Sequence, residues 1–438
     1  MTESKLVLIS ERARMEPLCR FTCLAHLLDV EFLKSSYHEL GKDRASGVDG
    51  VSWREYGERL EENLEELVIR MKAKQYRPQP SLRVYIPKDE KTMRALGLPA
   101  LEDKIVQKGI AIILGAIYEP DFLECSYGFR KGHGCHQALK EVNTMLTIKR
   151  INHVIEADIK GFFDHVSHEW MMKLLEKRIG DPSLLLLIRR FLKAGYMEKG
   201  AFVETEEGTP QGGNLSPMLS NIFLHYVLDE WFEKTVKTQM RGECRLVRYA
   251  DDFICMLQYQ DESKDLQAML SRRFSEFGLE LHPEKTRTMS FGRYEKENAD
   301  RQNRKANTFD FLGFTHFCGQ NRRGGFLLGR KTSGKKVRRR CAEMKLWLKS
   351  VRNSTTLKEW WPVLASKLRG HYEYYGVSGN YLPMLRYYGC VVSMAEKWLN
   401  RRSQLRSMTK EKFHAYMERY PLPKPKIRHS FYDLEFVS

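Results

Sequence analysis

Three acidic side chains carry the most specific chemical signal in this sequence. Asp158 ends the apolar run Val154-Ile155-Glu156-Ala157, and Asp251-Asp252 lie between two β-rich runs, Leu246 to Tyr249 and Phe253 to Leu257. An Asp after a strand is ordinarily a turn residue or a helix cap. Two adjacent carboxylates between β-branched and aromatic residues repel each other, however, and tolerating them implies a compensating cation. Nucleotidyl transfer needs such a set, because two divalent cations about 4 Å apart activate the attacking hydroxyl and stabilise the leaving pyrophosphate. Hard Mg²⁺ prefers a few carboxylates and substrate phosphates to a closed protein cage. Asp158, Asp251 and Asp252 are therefore the candidate catalytic residues and metal ligands, for two Mg²⁺ ions with Mn²⁺ as a substitute.

The elements that must position these acids read as α+β. Residues 1–40 are expected to be helical, and a Gly47-Val48-Asp49-Gly50 turn precedes a helix with Leu60, Leu64, Leu67, Val68 and Met71 on one stripe. Arg77-Pro78-Gln79-Pro80 breaks the helix, and Leu82 to Ile86 alternates like a strand ending at Pro87. A helix follows around Lys104 to Ile117. Short strands then alternate with helices to about 315: Val154 to Ile159, Trp170 to Ile179 and Phe202 to Glu206 are the first. Ser216-Pro217 is expected to open a further helix, with Ser216 as its cap and Leu219, Ile222, Phe223, Tyr226 and Val227 buried. The two runs around Ala250-Asp251-Asp252 form a hairpin with acids at its tip.

After about residue 320 the composition shifts. Residues 321–350 carry Arg322, Arg323, Arg330, Lys331, Lys335, Lys336, Arg338, Arg339, Arg340, Lys345 and Lys349 against the lone acid Glu343. Apolar stripes through Val337, Cys341, Met344, Leu348 and Val351, then Leu357, Trp361, Leu364 and Leu368, then Leu385, Tyr388, Val392, Ala395 and Leu399 predict a three-helix unit. Each stripe is ordinary core; the basic faces opposite are the functional part. Pro421-Leu422-Pro423-Lys424-Pro425 reads as a linker or extended tail.

The formal charge of +17 over 438 residues exceeds what solubility needs and points to a polyanion, with nucleic acid first. A membrane is a poorer candidate, since the longest clean apolar stretch, Ile110 to Tyr118, is too short to cross a bilayer. The amino terminus lacks the pattern of a secretory signal, and the expected location is the cytoplasm. Nine cysteines without paired spacings argue against a disulfide framework. Cys19 and Cys23 are the only near pair, and with no matching partners they read as two residues on one helix face rather than a zinc site.

Several blocks together resemble a known family. Tyr249-Ala250-Asp251-Asp252 is similar to the reverse transcriptase signature. Before it, in the family's order, come Ile86-Pro87-Lys88, Arg94-Ala95-Leu96-Gly97-Leu98-Pro99, Tyr127-Gly128-Phe129-Arg130, Asp158-Ile159-Lys160-Gly161-Phe162-Phe163-Asp164 and Gly208 through Pro217. Pro283-Glu284-Lys285 and Phe311-Leu312-Gly313-Phe314 follow it. The resemblance implies a right-hand polymerase with an antiparallel palm sheet and a three-helix basic thumb. The implied domains are an N-terminal extension over 1–76, fingers over 77–150, palm over 151–319, thumb or maturase domain over 320–415 and a short tail over 416–438.

It also implies roles. Lys88 and Arg94 would grip the incoming triphosphate, and Phe163 would be the gate that clashes with a ribose 2′ hydroxyl, its neighbour Phe162 being core. Gln211 would contact nucleotide or template, and Lys285 would neutralise departing pyrophosphate. The N-terminal extension, the Gly47–Gly50 turn, Gly370-His371-Tyr372-Glu373-Tyr374-Tyr375-Gly376 and the basic helical region resemble group II intron proteins more than retroviral enzymes. The expected partners are group II intron RNA, held partly by Arg338, Arg339 and Arg340, together with an RNA template on a DNA primer, dNTPs and target DNA. No Cys-rich nuclease segment is seen, so second-strand cleavage is not expected. The competing readings are a reverse transcriptase domesticated for phage defence or a CRISPR locus, and a splicing maturase whose polymerase site is a relic. The intact acids and Gln211 speak against the last.

Overall fold

A computed structural model describes residues 2–87, 92–209, 211–321, 323–401 and 408–431. The strands, in chain order, are β1 (Ser81–Pro87), β2 (Met93–Leu98), β3 (His153–Asp158), β4 (Tyr196–Glu198), β5 (Ala201–Val203), β6 (Cys244–Tyr249), β7 (Asp252–Leu257), β8 (Arg287–Ser290), β9 (Thr308–Phe311), β10 (Phe314–Gln320) and β11 (Phe326–Thr332). They form three sheets, ordered β2-β1-β4-β5, β6-β7-β3-β8 and β11-β10-β9. The chain divides into two compact units, one of residues 1–135, 157–255 and 261–288, the other of 136–156, 256–260 and 289–438.

In the first unit the helix Leu101–Tyr118 is buried almost all round, with Ile105, Val106, Ile110, Ile113, Leu114 and Ile117 inaccessible to solvent. Its hydrophobic run is too continuous for a surface helix and marks a core element. The stripe predicted over 60–71 is the helix Leu60–Lys72, with Leu64, Leu67 and Val68 buried. Arg77 to Pro80 end it, because proline cannot donate to a helix, and β1 begins at Ser81. β1 pairs antiparallel with β2, setting Arg83 opposite Gly97 and Ile86 opposite Arg94. Two readings change here. Cys19 and Cys23 do not share a helix; they flank Phe21, which bridges to Ile179. Ser216 is not a cap but the first residue of the helix Ser216–Leu224, whose cap is Leu215 in helical conformation. Ser216 is itself buried, and its carbonyl accepts from the Ser220 hydroxyl at 2.7 Å.

In the second unit β9, β10 and β11 form an antiparallel meander. The two residues between β9 and β10, Leu312 and Gly313, have φ of 49° and 80°, the double positive φ that a tight hairpin requires. The Tyr374 hydroxyl donates to the Leu312 carbonyl at 2.9 Å, so the turn is braced from the helix Leu357–Tyr375. Three long helices follow the meander: Gly334–Ser354, Leu357–Tyr375 and Tyr381–Asn400. The third stripe is shifted from the sequence reading. Met384, Tyr387, Val391, Ala395, Trp398 and Leu399 are buried, whereas Leu385 is 39% exposed. Both registers satisfy helical spacing, and the aromatic and Met set buries the larger surface.

The basic run is also less uniform than its composition. The position 319 drawn as a boundary lies inside β10, and Arg330 on β11 is buried rather than solvent-facing, donating to Asn143 Oδ1. The boundary at 415 falls inside the helix Lys410–Arg419. Residues 421–431 are not a free tail: Leu422 and Phe431 are buried, and Arg428 N and His429 N both donate to the Gly376 carbonyl.

Candidate active site

Asp158 stands at the end of β3, with its side chain 31% exposed. Its carbonyl accepts from His282 N at 2.8 Å, and Lys160 N donates to the Glu280 carbonyl at 2.9 Å. These bonds hold the segment 280–285 against the strand end. That brings the Lys285 ammonium within 2.6 Å of Asp158 Oδ2. A half-exposed pair of this kind contributes little stability. Its importance is local, because it sets a positive charge on a candidate metal-binding carboxylate.

The hairpin predicted around the paired acids is β6–β7, with Ala250 and Asp251 as its two connecting residues. Ala250 has a φ of 58°, an uncommon conformation for a residue with a side chain. A fully buried arginine holds it there. Arg248 Nη1 donates to the Ala250 carbonyl at 3.0 Å and to Asn221 Oδ1 at 3.1 Å, Nη2 to Ser126 Oγ at 2.6 Å, and Nε to Asp229 Oδ1 at 2.7 Å. Asn221 Nδ2 in turn donates to the Gly128 carbonyl at 2.7 Å. Gly128 is where the Tyr127–Arg130 segment meets the hairpin: a Cβ added there would lie 2.3 Å from Ala250 N. Only a glycine allows that approach.

Phe163 and Gln211 line one cleft of about 430 Å³ with Arg83, Gly97, Tyr196 and Glu207. Gly97 N donates to the Gln211 carbonyl at 2.6 Å, and Thr209 N to the Phe163 carbonyl at 2.7 Å, tying the glycine-rich turn to both neighbours. Phe162 is buried, as its reading as core requires, and meets the half-buried Phe163 edge-on at 5.3 Å. Arg94 is exposed on β2, but strand alternation turns it away from Ala95 and Gly97, which line the cleft. Arg83 takes the cleft face instead, its guanidinium 3.7 Å above the Tyr196 ring. Lys88 lies outside the described residues.

The structure therefore brings Lys285 to Asp158 and Phe163 to Gln211. Among the described residues no three His, Cys, Asp or Glu side chains form a ready group for an ion, so Asp158, Asp251 and Asp252 do not appear as a preassembled triad. Lys285 neutralises one of the three, Asp158. As a donor set the three remain carboxylates at strand ends, which suits a hard divalent cation.

Arg338, Arg339 and Arg340 are exposed on the helix Gly334–Ser354, and Glu343 pairs with two of them, with Arg339 at 2.8 Å and Arg340 at 3.1 Å.

Sequence reasoning missed Arg248 and Asp229. The signal was present: Leu246-Val247-Arg248 puts a charge inside a buried strand, and a buried charge demands a partner. What the sequence does not display is the turn that supplies it. Residues His225–Asp229 form a π-helical turn, with Glu230 N–H reaching back to the His225 carbonyl. In a regular helix Asn221 and Asp229 would point about 80° apart, and a wider turn of roughly 4.4 residues reduces this to about 10°. The bulge thus sets both residues on the face that meets Arg248.

The reverse transcriptase (RNA-dependent DNA polymerase) family matches residues 86–316, and the chain belongs to that family. It is 40% identical over 205 residues to the group II intron-encoded protein LtrA of Lactococcus lactis, covering 46% of this chain and 33% of LtrA. It is 41% identical over 240 residues to the protein YkfC of Escherichia coli, covering 48% and 63%. A 91 kDa protein in a cob intron of Schizosaccharomyces pombe is 38% identical over 170 residues, covering 39% and 21%. The chain thus spans a third of LtrA and under two thirds of YkfC. Reverse transcriptases use divalent metals and nucleic-acid partners. No helix among the described residues is long and apolar enough to cross a membrane.

Proposed function

We propose that this chain is an RNA-directed DNA polymerase that also binds a group II intron RNA and assists its splicing and mobility. The observation that carries the proposal is the hairpin presenting Asp251 and Asp252, braced by buried Arg248, in a chain that matches the reverse transcriptase family from β1 to β10. Its likeness to an intron-encoded protein supports the RNA partner.

Asp158, Asp251 and Asp252 would hold two Mg²⁺ ions, with Mn²⁺ as a substitute. When bound, the ions polarise the primer hydroxyl and the leaving pyrophosphate. Lys285, paired with Asp158, holds a cationic charge where pyrophosphate departs. Phe163 stands as the ribose gate, and Gln211 contacts nucleotide or template. The triphosphate contacts fall to Lys88 and Arg94, and Arg83 on the cleft wall adds a further cation. Arg338, Arg339 and Arg340 engage the intron RNA. The proposed fingers, palm and thumb follow the ranges given above, with the palm–thumb boundary taken after β10 and the end of the thumb after the helix Lys410–Arg419, and the working particle is a cytoplasmic ribonucleoprotein acting on dNTPs, primed RNA and target DNA at the nucleoid.

The test is extension of a DNA primer on an RNA template. Asp251→Asn removes one carboxylate charge and abolishes extension while RNA affinity survives. A variant that polymerised within a few fold of the parent would refute the assignment.

A further inference from the structure

In the first unit a second groove, of about 420 Å³, lies between the Arg77–Pro80 breaker and the end of the helix Pro182–Leu192. Arg77, Arg189, Arg190 and Lys193 line it, and among the described residues no carboxylate comes within ion-pair distance of any of them. In the candidate active site Arg248 is paired and Arg83 stacks on a ring, so four cations in one groove with no ion pair among the described residues stand out.

Two of the four are held in place. Arg77 Nη1 donates to the carbonyls of Lys74 and Tyr76 at 3.0 and 3.3 Å, and Arg190 Nη1 and Nη2 donate to the same two carbonyls at 2.8 and 2.9 Å. Lys74 itself has a φ of 57°, which turns the chain so that both carbonyls are available. Both guanidinium groups are thereby fixed side by side, although like charges repel. Desolvation, and then Arg77, push the Arg190 pKa below its ordinary value. Basic residues at a helix C-terminus complement the helix dipole, and that accounts for Arg189, Arg190 and Lys193 individually. It does not account for Arg77, which comes from another segment and converges on the same spot. The remaining donors, Nε and Nη2 of Arg77 and Nε of Arg190, bond to nothing among the described residues.

The floor of the groove is apolar. Phe202 is 56% exposed, an unusual position for a phenylalanine with no core to join, and Pro78 and Pro80 lie along it. Phe202 belongs to β5, and Tyr196 of β4 and Glu204 just after β5 line the cleft of Phe163 and Gln211. Fixed cations beside an exposed ring are the two components of single-strand recognition, a charged track for the backbone and a platform for a base. A duplex offers no free base face to Phe202, and an acidic peptide offers none either.

We propose that this groove binds single-stranded RNA, with Arg77, Arg189, Arg190 and Lys193 on the phosphates and Phe202 stacking against a base. The groove adjoins the candidate active-site cleft through residues 194–196, so the strand it holds is an unpaired segment continuous with the nucleic acid in that cleft. The proposal needs RNA binding only, not catalysis.

The experiment uses the full chain and a fluorescent single-stranded oligouridylate of about 12 residues, with anisotropy read over a salt series without nucleotides or divalent cations. Arg189→Glu with Lys193→Glu alters two exposed side chains that bond to nothing else. It should weaken binding and lower the slope of log affinity against log salt by about 1.4, roughly 0.7 for each lost phosphate contact. Phe202→Ala should lower affinity at least about fivefold at every salt concentration without changing the slope. Binding of a blunt RNA duplex should change in neither variant. Thermal unfolding unchanged from the parent shows that each variant is folded. A folded double variant with the parental slope, or a Phe202→Ala chain with parental affinity, overturns the proposal. Because no polymerisation is measured, these outcomes stand whether or not Asp251→Asn abolishes extension, and the two proposals fail separately.

Discussion

Arg248 and Asp229 form an ion pair in which neither side chain has any solvent exposure. The pair joins a π-helical turn to the strand that ends in the acidic hairpin, and through Ala250 it fixes the backbone of the hairpin tip. Two opposing costs meet here. Burying both charges is expensive, and the hydrogen bonds that Arg248 donates to Ser126 Oγ, Asn221 Oδ1 and the Ala250 carbonyl are what make the arrangement tolerable.

Breaking the pair from one side should therefore destabilise strongly. Arg248→Met or Asp229→Leu alone should each cost about 3–5 kcal/mol in urea unfolding, because each leaves a charge buried without its partner. The double variant should recover most of that stability, since apolar replacement of a buried pair is often neutral. Primer extension should not recover with it. The Ala250 carbonyl still lacks its donor, so kcat should stay low while the nucleotide KM stays near the parental value. A double variant with both stability and kcat restored would show that Arg248 serves folding alone.

Phe163 is half-buried in the cleft, between the β3 end and the glycine-rich turn. Trimming it to Val should relax sugar discrimination. The ratio of kcat/KM for a dNTP to that for the matching rNTP should fall by roughly 10-fold or more, within the range that a change of pocket size supports. Phe162→Val, at the buried neighbour, should lower stability and leave the ratio alone. The comparison separates a gate from a core residue at adjacent positions.

Much of this fold is legible from local pattern. The helix over Leu60–Lys72, β1 ending at Pro87 and the β6–β7 hairpin follow from stripes, breakers and turn residues. The blocks around Asp158, Gln211 and Asp251 are legible as chemistry because carboxylates at strand ends and a glycine-rich turn are unusual together. What is not legible depends on partners distant in sequence. Arg330 looks like one more surface cation until Asn143, 187 positions away, is seen to accept from it. Arg94 and Arg83 are equally basic in sequence, and only the strand pairing decides which faces the cleft. The π-helical turn that carries Asp229 leaves no mark in spacing at all, because a single widened turn changes the phase of a stripe already apolar on most sides.

His316 offers a pH test of the second unit. It is fully buried, stacks on Phe309 at 4.7 Å and lies opposite Arg330 in the β10–β11 register. Burial first, then the Arg330 charge, lower its pKa to about 3. The native state thus excludes the proton that the unfolded chain accepts near its ordinary value of 6.5. The stability linked to this residue is complete above about 6.5 and is lost as pH falls toward 3. His316→Phe should flatten the fall of Tm between pH 6.5 and about 4 relative to the parent. A variant whose Tm declines as steeply as the parent's would assign the acid sensitivity elsewhere.

The exposure of Arg338, Arg339 and Arg340 suits RNA binding, but their charges are not all available. Glu343 accepts from Arg339 and Arg340 together; burial pushes its carboxyl up, but those hydrogen bonds and the two arginine charges outweigh it and leave the carboxyl below the ordinary glutamate range. Exposed pairs of this kind are weak, so a phosphate backbone should compete for both guanidinium groups. If the three arginines contact intron RNA, reversing all three to Glu should weaken binding and reduce the salt slope by somewhat under about one unit per lost contact. Glu343→Gln should act in the opposite direction. It removes the competing carboxylate without touching an arginine, so affinity should rise by a few fold at low salt and converge with the parent at high salt, where screening removes the difference. Filter binding of the intron RNA across a salt series measures both. A solvated helix face with no RNA role would leave the triple variant's slope unchanged and make Glu343→Gln indistinguishable from the parent at every salt concentration. That joint result would move the intron RNA contact away from this helix.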